Sequence, residues 1–208
     1  MKKTVISLFD KTGNALRPWA EAGYRCHAFD IQHERPIAKN GITFWPWDAL
    51  SDKSSWALDD VAFVFAFPPC THLAVSGARW FKGKGLRALA ESIEMFAVAA
   101  EICEASEAPY MIENPVSTIS SYWRKPDHTF HPYEFTGFEL GDNYTKKTCL
   151  WTGGGFVMPD GYRHPDSGEP DNRIHAAPPS DERADFRSAT PMGFARAVFE
   201  ANSRLVAA

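Results

Sequence analysis

The sequence lacks any apolar run near the roughly 18–20 residues that a membrane helix needs. Met1-Lys2-Lys3 leads into a short strand-like stretch rather than a secretory signal, so a cytoplasmic protein with no membrane partner is expected. Cysteine is scarce: four in 208 residues, at positions 26, 70, 103 and 149, with no CxxC pair. That spacing argues against a disulfide framework and a structural zinc site, so reduced thiols and no metal are expected. A GxGxxG fingerprint is missing, which weighs against NAD or FAD. Gly77 to Lys84 is not a phosphate loop, because five residues separate its glycines and Gly85 stands where Ser or Thr should follow the lysine. There is no internal repeat. With 44% hydrophobic and 23% charged residues, the chain is neither disordered, collagenous nor a coiled coil, and its length suits one α/β domain.

Excess charge is also lacking. Against 22 Lys+Arg stand 26 Asp+Glu, a formal net charge of −4, which excludes a nonspecific nucleic-acid coat. The distribution says more. Pro159 to Asp185 holds seven acidic residues and three arginines and so carries the entire net charge. Between Cys70 and Arg87 every formal charge is positive, from Arg79, Lys82, Lys84 and Arg87. Such a local field offers one basic surface to a polyanion.

Apolar patterning predicts strands at 4–9, 24–31, 42–45, 61–67, 109–112 and 145–151. Helices are predicted over 14–22, 86–106 and 191–205. Val61 to Phe67 is uninterrupted apolar, β-prone sequence, as expected for a parallel strand buried on both faces. Pro68-Pro69 ends it. Alternating strands and helices predict a doubly wound, mostly parallel α/β sheet of the Rossmann-like type, with ligands at the carboxyl ends of its strands. Residues 1–152 are expected to form the core, 153–186 a short polar insertion that is functional or mobile, and 187–208 a closing helix.

Candidate chemistry clusters at the strand ends. The turn Leu8-Phe9-Asp10-Lys11-Thr12-Gly13 suits a nucleotide-like ligand, and Asp30 can accept hydrogen bonds from ribose hydroxyls. Cys70 ends a buried strand beside positive charge, where a depressed pKa and nucleophilic use are expected. Glu113-Asn114 ends the following strand, so a carboxyl can face the thiol across the top of the sheet.

These residues resemble the DNA cytosine carbon-5 methyltransferases, in particular their compact phage-encoded members. The resemblance rests on Leu8-Phe9 with Gly13, Asp30, Pro68-Pro69-Cys70 and Glu113-Asn114, in that order. Lys146 to Trp151 and Arg187 to Arg196 look like the family's later segments. It implies an S-adenosylmethionine-dependent methyltransferase fold, with the cofactor against Phe9, Asp10, Gly13, Asp30, Ile31, Asp48, Phe67 and Pro68. It implies Cys70 as nucleophile, Glu113 as proton donor, and Lys146 or Lys147 on the base oxygen, with strand parity leaving one of the two pointing inward. Pro69, Ser76, Arg79, Lys82, Lys84 and Asn114 would face the substrate, double-stranded DNA with its target base flipped out. The basic loop from Thr71 to Gly85 would contact phosphates. The sequence departs from the family at Asp10-Lys11, where a small residue or Cys and then Gly are usual, and at Pro115, where Val is common.

The family's larger enzymes insert a recognition region between the last two motifs. Here 35 net-acidic residues separate Trp151 from Arg187. Weak sequence selectivity, or a protein partner for target recognition, follows. Two alternatives remain at this stage: the same chemistry on RNA or a free cytosine nucleotide, and a non-catalytic nucleic-acid-binding relic of the fold.

Overall fold

A computed structural model describes residues 3–52, 56, 58–176 and 187–203; the side chains of Arg79, Trp80 and His175 lie outside this description. Eight strands form one mixed sheet: β1 (Thr4–Leu8), β2 (Arg25–Asp30), β3 (Ile37–Lys39), β4 (Ile42–Pro46), β5 (Val61–Ala66), β6 (Tyr110–Pro115), β7 (His128–Phe130) and β8 (Thr148–Gly153). Their order is β3-β4-β2-β1-β5-β6-β8-β7. The five central strands, from β4 to β6, pair in parallel. β3, β8 and β7 add antiparallel pairings at the two edges. The expected mostly parallel sheet is therefore present in its centre, with antiparallel edges that the sequence pattern did not predict.

The helices are α1 (Arg17–Glu21), α2 (Phe81–Ala105), α3 (Ile119–Tyr122), α4 (Arg173–Ala176) and α5 (Met192–Asn202). Period-two alternation explains why they occupy both sheet faces. Phe63 and Phe65 of β5 pack with Trp19 of α1 and with Phe194 and Val198 of α5. Val64 and Ala66 point the other way, into a cluster with Phe96, Ala99 and Ile102 of α2. A strand covered on both faces has no polar side to show, hence its unbroken apolar run. Trp19 is fully buried and meets Tyr24, Phe63 and Phe199 with ring centroids 5.0, 5.3 and 5.2 Å away.

From β1 the chain first builds β2, β3 and β4 on one side, then crosses to β5 on the other. That reversal is the switch point at which open α/β sheets form a ligand crevice. The Phe67 amide donates to the Leu8 carbonyl at 3.0 Å, extending the β1–β5 pairing to the crevice rim.

Two other expectations need correction, the open loop and the start of α2. The stretch from Thr71 to Gly85 is not an open basic loop: a 3-10 helix spans Val75–Trp80 and α2 begins at Phe81, five residues before the expected start. Gly85 (φ 80°, ψ 168°) breaks α2, and the apolar periodicity becomes visible only beyond it. The described part of the polar insertion is laid against the core, with the Gly137 and Thr145 amides donating to the Tyr162 and Asp171 carbonyls at 2.8 Å each. Residues 177–186 of that insertion, and the last residues of the expected closing helix, lie outside the described part.

Gly13 holds φ +67°, and a Cβ there would meet the Phe44 ring at 3.0 Å. Gly13→Ala should therefore cost at least the roughly 1–2 kcal/mol of left-handed backbone strain. Urea denaturation checks this, and unchanged stability would show that the turn is not held in this conformation.

Candidate functional site

Four backbone turns place the candidate residues. After β5, Pro68 and Pro69 carry the chain off the sheet, and the Cys70 carbonyl accepts from the Leu73 and Ala74 amides at 3.0 and 2.9 Å. This tight turn fixes the thiol beside the end of β6. Beyond it, the two segments run together. The Val75 amide donates to the Val116 carbonyl at 2.9 Å, and the Thr118 amide to the Leu73 carbonyl at 3.0 Å. Asn114, almost fully buried, donates its Nδ2 to the Pro68 carbonyl at 2.9 Å. Its amide nitrogen thus fastens the cysteine turn to β6 rather than facing open surface.

Glu113 stands one step from that tie, its side chain only 15% exposed and its Oε1 buried without a hydrogen-bond donor. The Lys146 ammonium, itself 14% exposed, lies 3.8 Å from this oxygen. Lys147 is exposed on the other side. The alternative left open by the sequence is thereby decided: Lys146 points inward. A small pocket opens over Glu113 and Lys146, walled by Phe67, Met111, Phe130 and Phe194, with Thr190 and Pro191 of the segment before α5 at its edge. Phe130 and Phe194 stack with centroids 3.8 Å apart, a rigid apolar wall for a planar ligand.

The thiol's electrostatics contradict the expected depressed pKa. Burial pushes the Cys70 thiol up and the Glu113 carboxylate adds to this, while Lys146 and Arg187 pull it partly back. Desolvation penalises the thiolate more than the nearby cations favour it. Arg187 thus reaches the thiol's surroundings across more than a hundred residues of sequence, a proximity no local pattern announces. The other three thiols, Cys26, Cys103 and Cys149, are buried, and burial also pushes them up, Cys26 to about 12.

The candidate cofactor residues gather at the crevice, with differing availability. Asp10 is buried and builds the turn: its Oδ1 accepts from the Gly13 and Thr12 amides at 2.7 and 3.0 Å, and its Oδ2 from Ser7 Oγ at 2.7 Å. Burial pushes its carboxyl up against the downward pull of these bonds. Asp48 likewise uses both oxygens on its own turn, accepting from the Leu50 amide at 3.0 Å and Ser51 Oγ at 2.8 Å. These two carboxylates shape the rim of the crevice. Asp30 uses Oδ1 for the Gln32 amide at 2.8 Å, leaving Oδ2 for a hydroxyl donor. Ile31, 68% exposed beside it, and Phe9, edge-on to Trp47 at 5.0 Å, supply apolar surface. A carboxylate oxygen with spare capacity beside apolar surface at a switch point fits a nucleoside.

Of the candidate substrate-contact residues, Pro69, Ser76 and Lys82 are exposed. Lys84 donates to the Thr71 carbonyl at 2.6 Å and so fastens the loop. The Arg79 side chain lies outside the described part. Among the described residues no group of His, Cys, Asp and Glu could hold a metal ion, and no helix is long and apolar enough to cross a membrane.

No family model and no curated protein matches this chain. A solved structure described as a candidate DNA modification methyltransferase encoded within an E. coli prophage is similar to 73% of the chain at 13% identity, with a TM-score of 0.44. The chain spans about half of that protein, 46% of its length.

Two outcomes follow from these environments. In the native protein Cys70, half-buried, should react slowly with a small alkylating reagent but faster than the three buried thiols. Glu113→Gln should speed that reaction at pH 8 and Lys146→Gln should slow it, because the first removes a charge that raises the thiol pKa and the second one that lowers it. Mass-spectrometric labelling rates check this; equal rates in both variants would refute the charge environment. For Asp10, burial raises the folded-state pKa above the unfolded value, so its contribution to stability is full at low pH and lost as pH rises through the folded pKa. Asp10→Asn keeps the Oδ1 acceptor without the charge, and its stability relative to wild type should increase from pH 4 towards pH 7 in urea denaturation. A flat difference would refute the desolvated carboxylate.

Proposed function

We propose that this protein is an S-adenosylmethionine-dependent methyltransferase acting on carbon 5 of cytosine in DNA, through a covalent adduct to Cys70. The observation that carries this reading is that Glu113 and Lys146, which line one aromatic-walled pocket, also act electrostatically on the Cys70 thiol at the neighbouring strand end, two strands from the nucleoside-like crevice at β1 and β2. The sequence resemblance supports it independently.

Carbon 5 of cytosine is a weak nucleophile, and addition of the Cys70 sulfur at carbon 6 makes it enamine-like. Glu113 holds a proton at ring nitrogen 3, which keeps the negative charge off the ring during the addition. Lys146 donates to the base oxygen. The aromatic wall of Phe130 and Phe194 shelters the base from water. S-adenosylmethionine, held by Phe9, Gly13, Asp30, Ile31, Phe67 and Pro68, supplies an electrophilic methyl group when bound. Water in the loaded site takes the carbon-5 proton, the carbon–sulfur bond pair leaves on Cys70 as thiolate, and the proton at ring nitrogen 3 returns to Glu113, restoring the aromatic ring. Because the resting thiol is held high, ionisation of Cys70 belongs to the loaded site, where a bound base and a cationic cofactor displace water.

Cytosine DNA bearing fluorine at carbon 5 tests the reading, because fluorine cannot leave as a proton does and the adduct persists. With cofactor, wild-type protein should yield a denaturation-resistant protein–DNA adduct, and Cys70→Ser should yield none. An adduct that survives in Cys70→Ser would overturn the assignment.

A further inference from the structure

Next to the pocket residues Phe130 and Thr148 lies a row of residues that the methyltransferase reading does not use. β7 pairs with β8 so that Phe130 faces Thr148. Continuing that register by one residue sets His131 beside Lys147. The nearness is electrostatic as well: the Lys147 charge acts on the His131 ring. His131 stacks on Tyr133 with centroids 5.3 Å apart and planes 23° from parallel. The Arg163 guanidinium lies over the Tyr133 ring at 5.5 Å. Lys147, His131, Tyr133 and Arg163 thus form one row at the sheet rim where the ends of β6, β8 and β7 meet.

Among the described residues neither cation of this row forms an ion pair with a carboxylate. Arg124, Arg173 and Arg196 form ion pairs with Asp127, Asp171 and Glu139. Arg163 instead donates Nε to Ser167 Oγ at 3.3 Å and Nη2 to the Gly168 carbonyl, which fixes its plane without neutralising it. Lys147 has no ion pair among the described residues, and its side chain is exposed. Two carboxylates lie alongside: Glu134 accepts from the His131 backbone amide at 3.1 Å and its charge acts on the His131 ring, while Asp166 lies 4.0 Å from His164. An oriented guanidinium with unused N–H groups and an exposed second cation suit phosphate oxygens. Stacked rings between them supply a flat surface for a neighbouring sugar or base.

We propose that Lys147 and Arg163, presented on the stacked rings of His131 and Tyr133, form a phosphate-binding row for the DNA strand that carries the target base. The inference rests on the methyltransferase reading for the identity of that strand. β5, which leads to Cys70, and β7, which leads to His131, stand three strand spacings apart, about 14 Å. One strand can therefore cross the pocket and reach the row. The polar segment after β8, too short for a separate recognition domain, gains a role: through Arg163 it supplies half of the phosphate contacts.

The test is fluorescence anisotropy of the full chain with a labelled cytosine-containing oligonucleotide, single-stranded and as a duplex, over a salt series. Lys147→Gln with Arg163→Gln should flatten the log–log dependence of affinity on salt by about 1.4 for the single strand and about 1.8 for the duplex. Arg163→Lys should keep most of the slope. Lys39→Gln with Lys125→Gln, exposed cations away from the pocket, should leave it unchanged. If the double variant does not fold, Lys147→Gln alone, at an exposed position, should give about half the change. Wild-type slope and affinity in the variants, from a protein that still forms the fluorocytosine adduct, would overturn this row and leave the methyltransferase reading standing. Failure of the wild type to bind either oligonucleotide would overturn both.

Discussion

One hydrogen bond holds the candidate site together: the Asn114 amide to the Pro68 carbonyl, 2.9 Å long and buried. Two prolines in succession turn the chain away from β5 and provide no backbone N–H for a sheet ladder. Without a side-chain donor from β6, the Pro68 carbonyl would be buried unpaired, at a cost of about 1–3 kcal/mol. By meeting that need, Asn114 sets the spacing between the thiol after β5 and the carboxyl one residue before itself. The Val75–Val116 and Thr118–Leu73 bonds then continue the same alignment away from the sheet. Position in the site is thus a property of the parallel β5–β6 pairing, carried beyond its last regular residue.

That alignment also explains the thiol. A parallel pair brings neighbouring strand ends to the same rim, so Cys70 and Glu113 are neighbours whether or not their charges agree. They do not agree: the carboxylate opposes the thiolate, and Lys146 and Arg187 only partly offset it. A resting thiol kept neutral is poorly reactive towards adventitious electrophiles. The arrangement stores the nucleophile in an inert form until something else occupies the pocket.

The centre of the fold was legible because its signals are local. β5 is apolar at every position since both its faces are covered, and the prolines mark its end. Asp30 ends β2, Glu113 lies near the end of β6 and Cys70 comes four residues after β5, so a reading of strand ends finds them. β3 and β7 were not legible, since three residues each are too few to show a period and they depend on pairing with β4 and β8. The inward lysine was illegible for a different reason. β8 begins only at Thr148, so Lys146 and Lys147 lie before the strand, where alternation sets no side-chain direction. Asp10 has a second role that the sequence did not show: its oxygens hold the turn together through the Thr12 and Gly13 amides and the Ser7 hydroxyl. Arg163 and Tyr133 gave no signal because their association depends on the tertiary course of the polar segment.

The break at Gly85 gives α2 an uneven mechanical character. Its φ of 80° with ψ of 168° lies in a region essentially closed to residues with a Cβ, so the helix cannot run straight through it. Residues 86–105 are anchored through Phe96, Ala99, Ile102 and Cys103 in the core. The turn at 81–84 lacks that anchorage and is held by Lys84 on the Thr71 carbonyl. Opening of this turn need not unwind the helix behind it, so the rim beside the nucleophile and the body of the domain are separate cooperative units. Amide protons on the two sides of Gly85 would then exchange with solvent on different clocks, with the slower one set by global unfolding.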